Sequence, residues 1–324
     1  MPVDLQEVEL WGWQTIRLAS GRISLTVAPQ AGGRVVSLKL DDVEAFFTLP
    51  QLRGQSFDVA SAEDVRERKR QLGLLHYGGY KTWLAPQDRW TDGLPFLDLD
   101  SGSYRVSVDK NSDVCSVRLT SPVCRETNME LTRTVSMSSE GRITVEQAMT
   151  NRSSEAVTWG LWDVTQVGGP GLALLPVADE SRHPDGVKAY ANEGRSQEVK
   201  GEYVSVANGV ATVRCHEKEP FKYGTDSAEG WIAALLHRST EQSLAYVKFF
   251  EAIHGATYPH EATVEVYDSG TLPYFELEVH SPLRRLGPDE TYAYAEDWII
   301  DSVPNVGGAE ALRAWVKDVM AGRA

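Results

Sequence analysis

The chain has 324 residues, of which 42% are hydrophobic and 24% are charged, and its formal net charge is −14. This length and balance are typical of a globular protein that buries a substantial core. The acidic charge disfavours nucleic acids and anionic membrane surfaces as partners, because proteins bind both through basic surfaces.

The cysteines and the N-terminus indicate the compartment. Cys115, Cys124 and Cys215 are few and widely spaced, so neither a disulfide framework nor a Cys-x-x-Cys zinc site is expected. Residues 1–5 lack the basic flank and apolar run of a signal peptide, and no run approaches the roughly 18 apolar residues of a membrane span. These features predict a cytoplasmic protein.

Short runs in which apolar and polar residues alternate dominate the chain, and this period of two predicts β-strands with one buried face. Turn residues separate the runs, and neither a βαβ rhythm nor a linker interrupts them. The pattern predicts an all-β protein of packed antiparallel sheets in a single domain, residues 1–324. In chain order, the apolar positions are Ile23, Leu25 and Val27; Tyr104, Val106 and Val108; Val117 and Leu119; Val135 and Met137; Ile143 and Val145; Val204 and Val206; Val264 and Val266; and Phe275, Leu277 and Val279.

Two segments carry helical signals. Ser61 is the predicted N-cap of a charged helix, with Asp64 three residues further on and a body from Val65 to Leu72. Residues 309–320 place Leu312, Val316 and three other apolar side chains on one stripe. This pattern predicts a short C-terminal helix that packs against the sandwich.

Two segments in the first third of the chain combine glycines with polar side chains. Arg34 follows Gly32-Gly33 at a predicted strand start, where it either reaches a ligand or closes a turn at the surface. His76, Lys81 and Trp83 surround the pair Gly78-Gly79. Polar groups beside stacking surfaces are typical of a binding loop, although a structural histidine is equally compatible with this segment.

Two later strands could carry chemistry. Residues 159–166 place Trp162 beside Asp163, which fits either hydroxyl recognition or a tryptophan-rich core strand with polar ends. In residues 274–282, Glu276, Glu278 and His280 share one face, so their charges could shift one another's pKa values. A solvated strand face is the alternative interpretation.

Taken together and in order, these segments resemble the galactose mutarotase (aldose 1-epimerase) superfamily, most closely its bacterial branch described as a domain of unknown function. Gly33-Arg34-Val35 resembles the early Gly-x-Arg motif, whose arginine touches the sugar. Residues 75–79 resemble the Leu-His-Gly-Gly motif with Tyr77 as an extra residue. Glu278, followed by Pro282, resembles the C-terminal catalytic glutamate. The similarity extends over nearly the whole chain.

The resemblance implies a β-supersandwich of large antiparallel sheets that interconverts the anomers of a sugar or sugar derivative by acid–base catalysis. Glu278 would be the base and His76 the acid or a hydroxyl ligand. No cofactor or metal is implied, because each step is a proton transfer. The remaining predicted ligands are Arg34, Lys81 and Asp163 for sugar hydroxyls, and Trp83 or Trp162 for stacking.

One departure from the family pattern leaves alternatives open. The family carries a histidine as general acid in the central strand, whereas residues 162–166 contain none. The alternatives are a lyase or another epimerase that acts on a modified sugar, and a carbohydrate-binding protein without catalysis. The sequence does not specify the sugar or the oligomeric state. His254 and His260, near Glu261 and Glu265, match no standard metal-site spacing.

Overall fold

The computed structural model describes residues 2–111, 113–190, 202–215, 219–237, 242–304 and 308–322. Over these residues the chain forms 22 β-strands and three α-helices. The strands are β1 Asp4–Leu10, β2 Trp13–Ser20, β3 Ile23–Ala28, β4 Arg34–Leu40, β5 Val43–Glu44, β6 Tyr80–Ala85, β7 Arg105–Lys110, β8 Val114–Thr120, β9 Met129–Ser138, β10 Ile143–Asn151, β11 Val157–Gly168, β12 Gly171–Pro176, β13 Lys188–Ala189, β14 Val204–Ala207, β15 Val210–Cys215, β16 Phe221–Thr225, β17 Trp231–His237, β18 Gln242–Phe250, β19 Val264–Asp268, β20 Tyr274–His280, β21 Arg284–Leu286 and β22 Thr291–Pro304. The helices are α1 Val65–Leu72, α2 Leu97–Asp100 and α3 Gly308–Ala321.

The strands form two large antiparallel sheets. The first has the order β1-β2-β3-β4-β6-β11-β20-β19-β16-β13, with β5 beside β4 and β21 beside β11. The second has the order β14-β15-β12-β17-β18-β22-β10-β9-β8-β7. Apolar side chains from both sheets, such as Leu25 and Leu277 from the first and Val117 and Val135 from the second, join one buried cluster. The predicted all-β sandwich with a short C-terminal helix is confirmed.

Helix α3 covers part of the second sheet. Its Leu312 and Val316 are buried in a second apolar cluster with Trp231, Phe249 and Val303. Both side chains belong to the stripe predicted from the sequence. Among the described helices, none combines the length and apolarity needed to cross a membrane.

Two local expectations were wrong. Asp64, not Ser61, caps helix α1, because its Oδ1 accepts hydrogen bonds from the backbone N–H groups of Arg66 and Glu67 at 3.0 and 3.2 Å. Strand β7 lacks a buried face, since Val106 and Val108 remain 45% and 43% exposed. This strand lies at the edge of the second sheet, and all its residues are exposed, so neither of its faces is covered by the described part of the chain.

Register within the first sheet decides which side chains can meet at a site. Trp162 of β11 lies between Trp83 of β6 and His280 of β20. Two residues further along, Lys81 of β6 and Glu278 of β20 flank Val164. Because alternate side chains of a strand point to opposite faces, all of these share the face turned away from the second sheet.

Candidate functional site

The outer face of the first sheet carries a cleft of ≈ 680 Å³. A volume of this size accommodates a small molecule such as a monosaccharide. Its lining combines aromatic rings with acidic and basic side chains. The lining residues are Leu74, His76, Lys81, Trp83, Pro86, Gln87, Asp88, Trp162, Tyr190, Lys222, His260, Tyr267, Tyr274, Glu276 and Glu278.

Tryptophans form one wall of the cleft. The rings of Trp83 and Trp162 meet edge to face at 5.0 Å, and Trp90 packs behind both at 5.1 and 5.5 Å. The ammonium groups of Lys81 and Lys222 lie 4.2 and 4.6 Å from the rings of Trp83 and Trp162. Rigid rings beside cations and carboxylates offer an apolar surface bordered by hydrogen-bonding groups.

Glu278 lies on the floor of this cleft and is 1% exposed. Its Oε2 accepts hydrogen bonds from Trp162 Nε1 and from Lys222 Nζ, both at 2.7 Å. Burial raises the pKa of the Glu278 carboxyl well above its ordinary value, since the opposing effect of Lys222 is incomplete and Glu265 and Glu276 add repulsion. The carboxyl is thus held in place and is more basic than an exposed glutamate.

Glu265, the neighbour of Glu278 on strand β19, is surrounded by donors. Lys222 Nζ lies 2.7 Å and His280 Nε2 3.0 Å from its Oε2, and the hydroxyl of Tyr190 donates to its Oε1. Burial alone would raise the pKa of Glu265, but Lys222 and His280 outweigh it and hold that pKa well below the ordinary value. Burial lowers the pKa of His280 to about 4, so its imidazole is neutral near pH 7.

A second ammonium–carboxylate pair lies on the same floor. Lys81 Nζ is 3.5 Å from Glu276 Oε1, which also accepts from Gln166 Nε2 at 2.7 Å. Burial lowers the pKa of Lys81, and the positive charge of Arg34 contributes although Glu276 opposes it. His76 lines the same cleft, and burial together with Lys81 lowers its pKa, which favours a neutral imidazole.

Arg34 lies behind the cleft and does not line it. Its Nη2 forms a buried ion pair with Asp100 Oδ1 at 2.7 Å, and the same oxygen accepts from Trp83 Nε1 at 2.7 Å. Arg34 is 0% exposed, so its link to the cleft runs through Asp100 and Trp83. Direct contact between Arg34 and a ligand in this cleft is therefore not supported.

Asp163 does not lie in the cleft, contrary to the sequence-based expectation. It follows Trp162 on β11, and consecutive side chains of a strand point to opposite faces. Its carboxylate therefore points between the two sheets, where it contacts the ammonium group of Lys248 on β18. Of the predicted site residues, the structure brings together His76, Lys81, Trp83, Trp162 and Glu278.

Several cleft residues were missed from the sequence. Lys222, Tyr190, His260, Tyr267 and Tyr274 come from the later half of the chain and reach the cleft through strand pairing or loops. Lys222 stands in Phe-Lys-Tyr, an alternation that also describes a solvated strand face. Without the order of the strands, no signal in the sequence separated these two possibilities.

His260, Glu265 and His280 bring ligand atoms within 4.8 Å of one another, a spacing that a metal ion could bridge. Their contacts favour a different arrangement. The backbone N–H of Gln87 donates to His260 Nε2 at 3.2 Å, so a neutral His260 carries its proton on Nδ1, facing Glu265. With Lys222 also at 2.7 Å, Glu265 is satisfied by hydrogen bonds and an ion pair.

Comparisons with known proteins address family and fold. A family profile with the description "Domain of unknown function (DUF4380)" matches residues 100–301. No curated protein matches the sequence of the chain. The family match agrees with the resemblance predicted from the sequence motifs.

Solved structures share the fold at low sequence identity. A galactose mutarotase-like protein from Clostridium acetobutylicum is 14% identical with a TM-score of 0.58, over 93% of this chain and 99% of the other. Galactose 1-epimerase from Lactobacillus acidophilus NCFM is 13% identical with a TM-score of 0.55, over 93% and 98%. A TPR-domain containing protein from Parabacteroides distasonis is 13% identical with a TM-score of 0.56, and the match spans 89% of this chain but 47% of that protein. The predicted galactose mutarotase-like fold is confirmed.

Proposed function

We propose that this chain, which belongs to the DUF4380 family, binds a sugar in the cleft of the first sheet and interconverts its anomers by acid–base catalysis. The observation that carries the proposal is the placement of the Glu278 carboxyl and the Lys81 ammonium in one cleft, beside Trp83 and Trp162. Two proteins of the same fold are described as galactose mutarotase-like and as a galactose 1-epimerase, which supports a sugar as ligand.

The reaction requires two proton transfers. A base removes the proton of the anomeric hydroxyl while an acid protonates the ring oxygen, and the ring opens. The carbonyl carbon then rotates, and the reverse transfers close the ring as the other anomer. Both catalytic groups must come within roughly 2.6–3.2 Å of the sugar atoms that they serve.

Glu278 is the proposed base. Hydrogen bonds from Trp162 and Lys222 hold its Oε2, so the carboxylate is oriented before the sugar binds. A base works best when its pKa lies close to the working pH, and burial moves the pKa of Glu278 upward in that direction.

Lys81 is the proposed acid in place of the absent histidine. Burial and Arg34 lower the pKa of its ammonium group, which makes the proton easier to release. His76 suits this role less well, because burial lowers its pKa and leaves a neutral ring. A neutral imidazole can still bind a sugar hydroxyl, and this is the role that we assign to His76.

The lyase alternative has less support in this cleft. That reaction needs a cation available to neutralise the carboxylate of a modified sugar. Arg34 is buried against Asp100, while Lys81 and Lys222 already contact carboxylates. Among the described residues that line the cleft, each lysine therefore has an anionic partner.

The test compares Glu278→Gln with Glu276→Gln. Both substitutions remove one cleft carboxylate from the same face of β20 and preserve its shape. Loss of a general base typically costs on the order of 100- to 10,000-fold in rate. We expect Glu278→Gln to retain sugar binding by calorimetry and to lose anomer exchange by NMR, with a much smaller effect of Glu276→Gln.

Two outcomes would contradict this assignment. Equal exchange rates in wild type and Glu278→Gln would refute Glu278 as the base. If the wild type binds a sugar but does not exchange the anomers of any monosaccharide tested, the chain is a carbohydrate-binding protein without catalysis.

A further inference from the structure

A lysine is completely buried between the two sheets, beneath the strands that form the cleft. Lys248 lies on β18 of the second sheet and is 0% exposed. Asp163 reaches it from β11 of the first sheet, and Glu296 reaches it from β22, the neighbour of β18; each of these carboxyl residues is 1% exposed. The three residues have no part in the function proposed for the cleft.

The contacts orient the amine toward both carboxyl groups. Lys248 Nζ contacts Asp163 Oδ1 directly and lies 3.5 Å from Glu296 Oε2. The other carboxyl oxygen of Asp163, Oδ2, is buried and has no hydrogen-bond partner among the residues that the structure describes. One oxygen of Asp163 therefore lacks the hydrogen bonds that would stabilise a full negative charge.

Glu296 is held in a fixed orientation. Its Oε1 accepts hydrogen bonds from Gln147 Nε2 at 2.8 Å and from the Tyr80 hydroxyl at 3.3 Å. Its Oε2 accepts from Trp298 Nε1 at 3.0 Å and also faces Lys248. A carboxylate anchored at both oxygens and placed beside an amine is well positioned to accept and return a proton.

Aromatic rings exclude water from this group. The Tyr80 ring lies 5.2 Å from Lys248 Nζ, and the rings of Tyr246 and Phe46 pack with Trp298 at 5.9 and 5.8 Å. Burial raises the pKa of Asp163 well above its ordinary value, and Glu296 adds to the effect although Lys248 opposes it. These surroundings favour the protonated, neutral form of the Asp163 carboxyl.

We propose that Lys248 and Asp163 condense to an intramolecular isopeptide bond, with Glu296 as the proton carrier. The Glu296 carboxylate takes a proton from the Lys248 ammonium group, and the amine so formed attacks the Cγ of protonated Asp163. Glu296 gives this proton to the departing hydroxyl and then takes the proton that the nitrogen loses, so that one C–N bond forms, one C–O bond breaks, one water leaves and Glu296 ends protonated. The step needs no oxidant, reductant or other reactant.

Physical chemistry favours this product at this position. Two charges buried away from water carry a desolvation penalty that their mutual attraction only partly offsets. An amide is neutral, and release of water from an apolar interior opposes hydrolysis. Because the fold already holds the amine against the carboxyl, the attack is intramolecular and has a high effective concentration.

The bond would connect the two sheets covalently. Asp163 and Lys248 are 85 residues apart in the chain and belong to strands of different sheets. Since the cross-link depends on the folded core and not on the cleft, it is independent of the sugar chemistry proposed above.

The experiment is mass spectrometry of the purified, denatured wild-type chain. We expect an intact mass that is lower than the sequence mass by one water molecule. After trypsin digestion, we expect a branched peptide that joins Asp163 to Lys248, with no cleavage after Lys248. Glu296→Gln should restore the full mass, whereas Glu276→Gln in the cleft should keep the reduced mass.

The wild-type measurement decides the question even if a variant fails to fold. A folded wild-type protein with the full sequence mass would refute the proposal, because the amine and carboxyl would then form only an ion pair. A reduced mass with the link mapped to Glu296 would overturn the assignment of Asp163 as the reacting carboxyl.

Discussion

Replacing Lys222 with methionine is expected to destabilise the protein more than any exposed ion pair could. Its Nζ lies 2.7 Å from both Glu265 Oε2 and Glu278 Oε2, and these carboxylates are 0% and 1% exposed. Methionine preserves much of the apolar stem but leaves two buried carboxylates without their shared cation. Breaking a buried pair by removing one partner typically costs about 3–5 kcal/mol.

The lower end of that range applies here. The Lys222 side chain is 17% exposed, so water can partly replace the ammonium group, and Glu265 keeps the contact of His280 Nε2 at 3.0 Å. We therefore expect a loss of about 3 kcal/mol in the free energy of unfolding at pH 7. Urea denaturation followed by tryptophan fluorescence measures this quantity.

Acid should reduce the difference between the variant and the wild type. The pKa of Glu265 is held below its ordinary value in the folded protein, so its stabilising contribution is present above about pH 4.3 and is lost as the pH falls further. Lys222→Met lacks most of this contribution, and the difference should therefore shrink as the pH falls below about 4.

The matched control is Arg22→Met, which breaks a pair with Asp41 whose side chains are 59% and 53% exposed. An exposed pair contributes little, so this variant should remain close to the wild type. An equal loss in the two variants, or a loss in Lys222→Met that does not change with pH, would refute the reasoning.

Two further predictions concern catalysis and the backbone. The rate of anomer exchange should fall as the pH decreases, because Glu278 must be ionised to act as the base. Since the pKa of Glu278 is raised, the midpoint of this fall should lie above about 4.3, the ordinary glutamate pKa. A pH–rate profile measured by NMR with a midpoint at or below that value would contradict this prediction. Gly78→Ala should destabilise the protein far more than Gly209→Ala in thermal unfolding. Both glycines have positive φ. A Cβ at Gly78 would lie 2.2 Å from the carbonyl oxygen of Phe47, whereas a Cβ at Gly209 would have no heavy atom within 4 Å among the described residues. Equal losses in the two variants would show that the left-handed backbone, and not the close approach, sets the cost.

The fold could be predicted from the sequence because the alternation of apolar and polar residues is a local property of each strand. The runs around Leu25, Val117 and Leu277 became strands of the two sheets, and their apolar side chains are completely buried. Alternation does not show whether the apolar side chains of an edge strand are buried. Val106 and Val108 alternate as regularly, yet both are exposed, because β7 lies at the edge of the second sheet and the described residues cover neither of its faces.

The site was only partly accessible, for a related reason. The alternation of β11 separates Trp162 from Asp163, but it does not show which face meets the cleft and which meets the second sheet. The partners of Glu278 depend on strand order as well. Lys222 precedes Glu265 in the chain by a long segment. It reaches the cleft because β16, which carries Lys222, pairs with β19, which carries Glu265.

Strand β11 has consequences for mutational tolerance. In a strand with one solvated face, every second residue can be replaced with little effect. From Trp159 to Val167 all positions of β11 are buried, with Trp162 directed to the cleft and Asp163 to Lys248. Substitutions along this strand should therefore be poorly tolerated at odd and even positions alike. A slip of one residue would exchange the two sets of side chains, and a single deletion would thus damage the cleft and the core together.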